Sequence, residues 1–426
     1  MTTLTLGIAI TFSILVLVLP RPGALGSYLT LAVTYPTFLV VSMGTLDISA
    51  SRIVVAVLFI RCVLGGNTSH LMSTWPSRMV TLLSLVSFLI PLLSWDQTAL
   101  NLIENRLGLL LDTYISFAVT VCCIREHASF VTLAKWMSVV VIYLAVIGIF
   151  ESTTGQLLFQ PLKVYCPWFN SQESVTQVRY GFFRAEGPLS HPILFGMCFS
   201  MLLPLVFWLR HSSGLWRVIA LVGGVACVIG TISSMSSGPW MMLIIVVVGL
   251  VLEHRKGLVR PLVALGVFAC FGIAVLSNRP FYHVIASYLD PVGGSGWHRA
   301  KLIDNAIEHF SEWWLYGYGG RDPGWGESLG MTWTDITNHY LVYGIQYGLL
   351  GILFLIVTLV ISVLAMRRWF TCRENSKIGA LCWALATVLV ALAIAFNSCT
   401  LFAQTHTLFF VLLGLVSSCA DLLPEK

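Results

Sequence analysis

The sequence predicts an all-α protein that crosses a membrane many times, and three observations carry that prediction. Of its 426 residues, 57% are hydrophobic and only 10% are charged, whereas soluble domains carry roughly a quarter charged residues. Apolar runs near the roughly 20 residues that cross a bilayer as a helix recur from end to end. The cations gather in alternate short connections instead of spreading over a surface.

Taken in order, the runs predict spans at 5–20, 27–44, 46–64, 80–95, 108–124, 129–150, 191–209, 218–234, 238–252, 261–277, 348–366, 378–396 and 401–418. The stretch 28–64, YLTLAVTYPTFLVVSMGTLDISASRIVVAVLFIRCVL, holds either two short spans or one long broken one, so the expected total is 12 or 13. The first run, LTLGIAITFSILVLVLP, has no basic flank and no small-residue cleavage site, and is expected to stay as a helix. Residues 1–426 then form a single membrane domain.

Short connections with Arg210 and Arg217, with Arg255, Lys256 and Arg260, and with Arg367, Arg368, Arg373 and Lys377 are cytoplasmic by the positive-inside rule. Two long connections, 151–190 and 278–347, then emerge on the opposite face as extracytoplasmic loops. The second holds seven acids (Asp290, Asp304, Glu308, Glu312, Asp322, Glu327, Asp335) against four bases (Arg279, Arg299, Lys301, Arg321), which suits that side. Ten of the eleven cysteines fall in or beside apolar spans or in a short basic loop, with no CxxC pair and no zinc spacing, so they read as packing residues. No metal, cofactor or nucleic-acid partner is expected, and chemistry is confined to the two loops and the helix ends they join.

The first loop ends in GFFRAEGPLSHPILFG, 181–196. Pro192 suits a first helical position and Ser190 or His191 a cap. A helix N-terminus carries about half a positive charge and free donors, which makes it an anion site. Arg184 and Arg179 precede it, and a guanidinium fork matches phosphate oxygens. The cluster reads as a cradle for a phosphate or diphosphate at membrane level. The plainer reading has both arginines reaching lipid head groups, with Glu186 pairing one of them and His191 serving as cap or packing residue.

In the second loop, Leu302, Ile303, Ala306, Ile307, Phe310, Trp313 and Trp314 recur at helical spacing, which predicts an amphipathic helix over about 298–314 lying on the membrane surface. Arg299 begins the same stripe and wants an anionic partner: a phosphate, a lipid or a nearby acid. GYGG at 317–320 lacks the context of a nucleotide loop and reads as a flexible turn. TDITNHYLVYGIQYGLLG follows, with His339, Tyr343, Gln346 and Tyr347 on one face, so a polar stripe descends from the surface. His339 could take a proton from a sugar hydroxyl, or could simply cap and hydrogen-bond. Asp112 is near the surface or paired, Lys135 snorkels, and His406 is a satisfied interior histidine.

RAEGPLSHPILFG, SGWHRAKLIDNAIEH....LYGYGG and ITNHYLVYGIQYGLLG, in that order, resemble the O-antigen polymerase and ligase superfamily over about residues 45–415. The likeness is closer to the exopolysaccharide polymerase branch, because Asn338 precedes His339 where the ligase motif has His-Asn. The resemblance implies a GT-C-like membrane glycosyltransferase, metal-independent and inverting, in a bacterial inner membrane. Its implied donor is an undecaprenyl-diphosphate-linked glycan, and its acceptor is the next lipid-linked repeat unit or, for a ligase, lipid A core. A chain-length regulator and a flippase are implied partners beside the lipid bilayer. By position, Arg184 and Arg299 (with Arg179) fall on the diphosphate and His339 becomes the base, with Asn338, Tyr340 and Tyr343 beside it and Glu186 and His191 supporting. A transporter of polysaccharide or lipid-linked oligosaccharide is the rival class. It would show internal repeats and midplane polar residues, whereas here the polar residues cluster outside.

Overall fold

The computed structural model describes residues 2–43, 46–66, 68–93, 99–166, 177–189, 191–278, 280–288, 296–372 and 377–422. It is helical almost throughout. In chain order the helices are α1 (Thr2–Val18), α2 (Arg21–Thr34), α3 (Ala50–Leu64), α4 (Trp75–Leu93), α5 (Ala99–Leu110), α6 (Ser116–Cys123), α7 (His127–Thr154), α8 (Pro192–Trp208), α9 (Leu215–Ser233), α10 (Ser237–Leu252), α11 (Val259–Leu276), α12 (Phe281–Tyr288), α13 (Gly296–Glu308), α14 (Phe310–Trp313), α15 (His339–Cys372), α16 (Lys377–Ala395) and α17 (Ala403–Asp421). Among the described residues nine helical segments are long and apolar enough to cross a membrane, and α1 and α10 are shorter apolar helices. The chain is a multi-pass, all-α membrane protein.

The predicted run at 27–44 is corrected. Helix α2 stops at Thr34 because Tyr35, which precedes Pro36, turns to extended backbone. Strand β1 (Val40–Met43) then pairs antiparallel with β2 (Leu46–Ser49). The ambiguous stretch is thus two short helices, α2 and α3, held apart by that strand pair.

Helices α8 and α17 are the most enclosed candidate spans, with 83% of each buried, while α11 has no buried residue. Phe195 and Phe199 of α8, Phe409 and Phe410 of α17, and Phe396 beside α16 form the centre of one continuous core. Between α5 and α6, Leu111–Ile115 makes a π-helical turn. It turns Asp112 onto Arg52 of α3, with a shortest contact of 2.6 Å, so Asp112 is paired as one reading expected.

Basic connections gather at one end. Arg210 pairs with Glu253 at 2.5 Å, Trp208 Nε1 donates to the Lys377 carbonyl at 2.9 Å, and the Lys135 ammonium stands 4.9 Å from the Trp216 ring. At the opposite end the first long connection is bonded to α9, Ala185 N donating to Ser233 O at 3.0 Å, and the second to the segment before α17, Thr400 Oγ1 donating to Ile336 O at 2.6 Å.

The second long connection differs from expectation in three ways. It ends at Asn338, because α15 already begins at His339 and runs to Cys372 across a break at Gly348. The expected helix at 298–314 is two pieces, α13 and α14, parted at His309. Its stripe is also split: Leu302, Ala306 and Trp313 are buried against Trp325, Leu329 and Ile345, while Ile307, Phe310 and Trp314 are exposed. The loop folds back over its own helix and forms a second small core there.

The Gly348 break explains why GYGG is a docked turn, not a loose one. Gly348 sits at φ 67°, ψ −169°, a region reserved almost entirely for glycine. The break frees the Ile345 carbonyl and the Leu349 amide from their helical partners. Tyr318 N donates to Ile345 O at 2.5 Å and Leu349 N to Trp314 O at 2.8 Å, so the 314–318 turn satisfies both. A Cβ on Gly348 would strike the Leu315 carbonyl, and one on Gly317 the Ile345 carbonyl.

Gly348→Ala is therefore expected to lower the unfolding temperature clearly more than Gly330→Ala, as read by thermal unfolding in detergent. Gly330 shares a positive φ, 71°, but has open space around it, so it carries only the backbone cost of about 1 kcal/mol. Equal shifts in the two variants would contradict the docking of the turn against α15.

Candidate functional site

The first long connection is held to the bundle by a carboxylate. Glu151, in the last turn of α7, is fully buried. Its Oε1 accepts from Leu158 N at 2.9 Å, and its Oε2 accepts from Glu186 N at 3.0 Å and Gly187 N at 2.8 Å. Gly187 follows at φ 51°, where a Cβ would meet Phe195 at 2.5 Å. A short hairpin, β3 (Val178–Arg179) with β4 (Phe182–Phe183), then carries two arginines toward the turn between α9 and α10.

Three arginines meet at that turn. Arg184 Nη2 donates to Ser236 Oγ at 2.9 Å and Nε to Ser234 O at 3.5 Å, while Nη1 donates to Gln177 Oε1. Arg179 Nη1 donates to Met235 O at 3.3 Å. From the second connection, Arg299 on α13 reaches Ser237 Oγ at 3.5 Å through Nη2. The structure thus brings Arg184 and Arg299 to consecutive residues at the start of α10. Met235 holds a positive φ of 45° between them, a backbone state that side chains other than glycine rarely adopt.

The electrostatics of this turn favour an anion. Arg184 and Arg299 are 7% and 8% exposed. Burial first, and Arg179 beside it second, pull the Arg184 guanidinium down to about 10, so it stays charged at neutral pH. Arg299 Nε and Nη1 are buried without a partner among the described residues. Unmet donors on a buried cation are costly, and an anionic oxygen can meet each of them.

Two expectations for the first loop are corrected. The arginines serve the N-terminus of α10 instead of that of α8, because the β3–β4 hairpin folds them back to residues 234–237. The start of α8 is closed by its own cap, His191, whose Nδ1 accepts from Ile193 N at 3.1 Å; Ser190 lies outside the described residues. Glu186 pairs with Lys163 at 2.7 Å and not with an arginine.

His339 opens α15 and is 1% exposed. Asn338 caps this start, its Oδ1 accepting from Leu341 N at 3.1 Å, and Tyr340 OH donates to Ala393 O at 2.7 Å. His339 Nδ1 accepts from Leu401 N at 3.3 Å. A neutral ring bonded this way carries its proton on Nε2, which has no partner among the described residues. Tyr343 OH lies 3.3 Å from His406 Nε2, which supplies the interior partner expected for His406.

His339, Tyr343, Gln346, Tyr347, Gln404 and His406 line a cavity of about 630 Å³, together with the Arg52–Asp112 pair and Arg106. None of the three converging arginines is among its lining residues. The segment 396–404 separates the two places and touches both. On one side Leu401 bonds His339; on the other, the Cys399 thiol packs against Gly238 in the first turn of α10. Gln404 lines the cavity and also donates to Pro188 O at 3.0 Å. The arginine cluster and a hydroxyl-rich cavity thus share one wall.

Sequence reasoning missed Glu151, Arg52, Arg106 and the serines of the α9–α10 turn. The turn was legible in principle: SSMSSGPW carries serines before a proline, the same helix-start signal as SHP at 190–192. Glu151 gave no signal, because its three donors lie 7, 35 and 36 residues further along the chain. No family model matches this chain, and no curated protein matches it.

Glu151→Gln replaces one acceptor oxygen with a donor against backbone N–H groups. Limited proteolysis is expected to cut within 151–190 many times faster in this variant, since each unmet buried group costs about 1–3 kcal/mol; unchanged cleavage would show that Glu151 does not anchor the loop.

Burial first, then Arg184 and Lys163, pull His191 from 6.5 down to about 4. Its neutral cap contributes stability that is complete above about pH 6.5 and is lost as pH falls toward 4. His191→Asn keeps a capping acceptor and is expected to flatten the fall in melting temperature between pH 7 and pH 5.

Proposed function

We propose that this protein joins glycan chains carried on a polyprenyl diphosphate, extending them by inverting glycosyl transfer at the extracytoplasmic face of a bacterial inner membrane. The observation that supports it best is the convergence of Arg179, Arg184 and Arg299, drawn from two separate connections, on residues 234–237, with unmet Arg299 donors. In this reading the fold is GT-C-like with 12 or 13 membrane spans, and both long connections lie outside the cytoplasm.

The donor diphosphate sits against the arginines at the start of α10. As the anomeric bond to the diphosphate breaks, negative charge grows on the leaving oxygen, and fixed guanidinium donors stabilise it more than the ground state. The acceptor saccharide occupies the neighbouring cavity, where its hydroxyl attacks the anomeric carbon from the face opposite the diphosphate. His339 is the candidate base, under a condition its hydrogen bond imposes. To accept a proton at Nε2 it must carry its other proton on Nδ1, and so release Leu401 N. In the tautomer that keeps this bond, Nε2–H orients the acceptor instead.

The test is purified protein in lipid nanodiscs with lipid-linked repeat units, read by product length. Arg184→Ala and Arg299→Ala are expected to slow elongation about 100-fold or more, with unfolding temperatures near wild type. His339→Gln, which keeps a donor, is expected to retain far more activity than His339→Ala if orientation dominates; equal loss in the two points to the base role. Wild-type elongation by Arg299→Ala would overturn the proposal. Transfer of finished chains to lipid A core, without elongation, would make the protein a ligase, and translocation at constant chain length would make it a transporter.

A further inference from the structure

The cavity beside His339 contains a cation for which glycosyl transfer, as described, has no use. Its charged lining residues are Arg52, Arg106, Asp47 and Asp112. Arg52 turns Nε and Nη2 onto Asp112, so that pair is neutral together, and Asp47 Oδ1 accepts from Ser42 Oγ at 2.6 Å. Arg106, on α5, pairs with no acid among the described residues, and its Nε and Nη1 are buried without a hydrogen-bond partner there.

Uncharged groups set Arg106 in the wall. The Tyr347 hydroxyl, on α15, hydrogen-bonds to it. The second long connection reaches it at Gly320, where a Cβ would stand 3.6 Å from Arg106 Nη2. Its neighbour Arg52 has room because Gly108 lacks the Cβ that would lie 2.9 Å from Arg52 Nη1, and that nitrogen makes no hydrogen bond among the described residues. A cation that no carboxylate neutralises draws its counter-charge from whatever fills the space beside it.

The rest of the lining narrows the chemistry of that occupant. Thr37, Tyr343, Gln346, Gln404 and Thr407 offer hydroxyls and amides to a molecule rich in hydroxyls. A volume of about 630 Å³ falls within the roughly 300–1,000 Å³ of small-molecule sites. Asp47 and Asp112 limit the charge that fits. A carboxylate brings one negative charge and balances Arg106, whereas a phosphate monoester brings about 1.5 to 2 near neutral pH and is repelled by both acids.

We propose that this cavity takes an acidic saccharide, one bearing a carboxylate as a uronic acid does, with Arg106 as its counter-ion. That the saccharide is the acceptor rests on the glycosyl-transfer reading above; the preference for an acidic over a neutral sugar does not.

The test titrates purified protein in phosphatidylcholine nanodiscs with methyl glucuronide, methyl glucoside and glucose 6-phosphate, read by ligand-observed NMR. Wild type is expected to bind the glucuronide about 10-fold more tightly than the glucoside, and more tightly than glucose 6-phosphate. Arg106→Gln should remove the preference by weakening the glucuronide alone, so that glucoside binding reports an intact cavity, and Arg106→Lys should keep most of it. No preference in wild type, its survival in Arg106→Gln, or tighter binding of glucose 6-phosphate overturns the inference. Loss of the preference in nanodiscs rich in phosphatidylglycerol would make a lipid head group the counter-ion and overturn it as well. Inorganic pyrophosphate, titrated in parallel, separates the two readings. If it binds and the preference is absent, this inference falls alone; if it fails to bind while the preference stands, the diphosphate reading falls and the acidic-sugar site remains.

Discussion

A guanidinium taken out of water at the rim of a membrane must find either oxygen acceptors or an anion, and that constraint organises the functional end of this protein. Arg184 meets it with the Ser236 hydroxyl, the Ser234 carbonyl and the Gln177 side-chain oxygen. Arg299 meets it only in part, through one long contact to Ser237. Three positive groups at one turn repel each other, so the loops that carry them must be fixed by other means. The fold supplies those means from beneath, with no carboxylate placed on any of the three among the described residues.

Two devices hold the loops. Glu151 gathers the amides of residues 158, 186 and 187 onto one carboxylate at the end of α7, which fixes where the hairpin bearing Arg179 and Arg184 leaves the bundle. The second loop is fixed by its own small core around Trp313 and Trp325 and by the exchange of hydrogen bonds at Gly348. Both place the immobilising groups away from the cations, where they satisfy backbone instead of neutralising charge. The cluster keeps its positive field as a result.

Much of the fold was legible because the apolar runs are long and broken by basic connections, and each predicted run from 80 to 418 has a helix over it. What failed was local competition: 27–44 is apolar enough to read as a span, yet Pro36 and the β-branched residues after it favour strand pairing. In the site, Arg184, Arg299 and His339 stood out as polar residues in apolar surroundings. Their partners did not, since Ser234, Ser236, Ser237 and Leu401 are ordinary residues whose role comes from tertiary proximity. The choice of α10 over α8 as the helix that meets the arginines was likewise invisible, because it depends on a hairpin of only two residues per strand. The split stripe of α13 and α14 shows the same limit. Periodicity says which face is apolar but not whether lipid or the protein's own tryptophan covers it.

The swapped bonds at Gly348 tie two distant stretches of the chain together. Helix α15 before the break contributes His339, Tyr343, Gln346 and Tyr347 to the cavity wall. The turn that completes its broken hydrogen bonds follows directly from α13 and α14, and α13 bears Arg299. A displacement of the first turns of α15 must drag the 314–318 turn with it, or break two backbone bonds. One glycine thus couples the cavity-lining half of α15 mechanically to the second long connection.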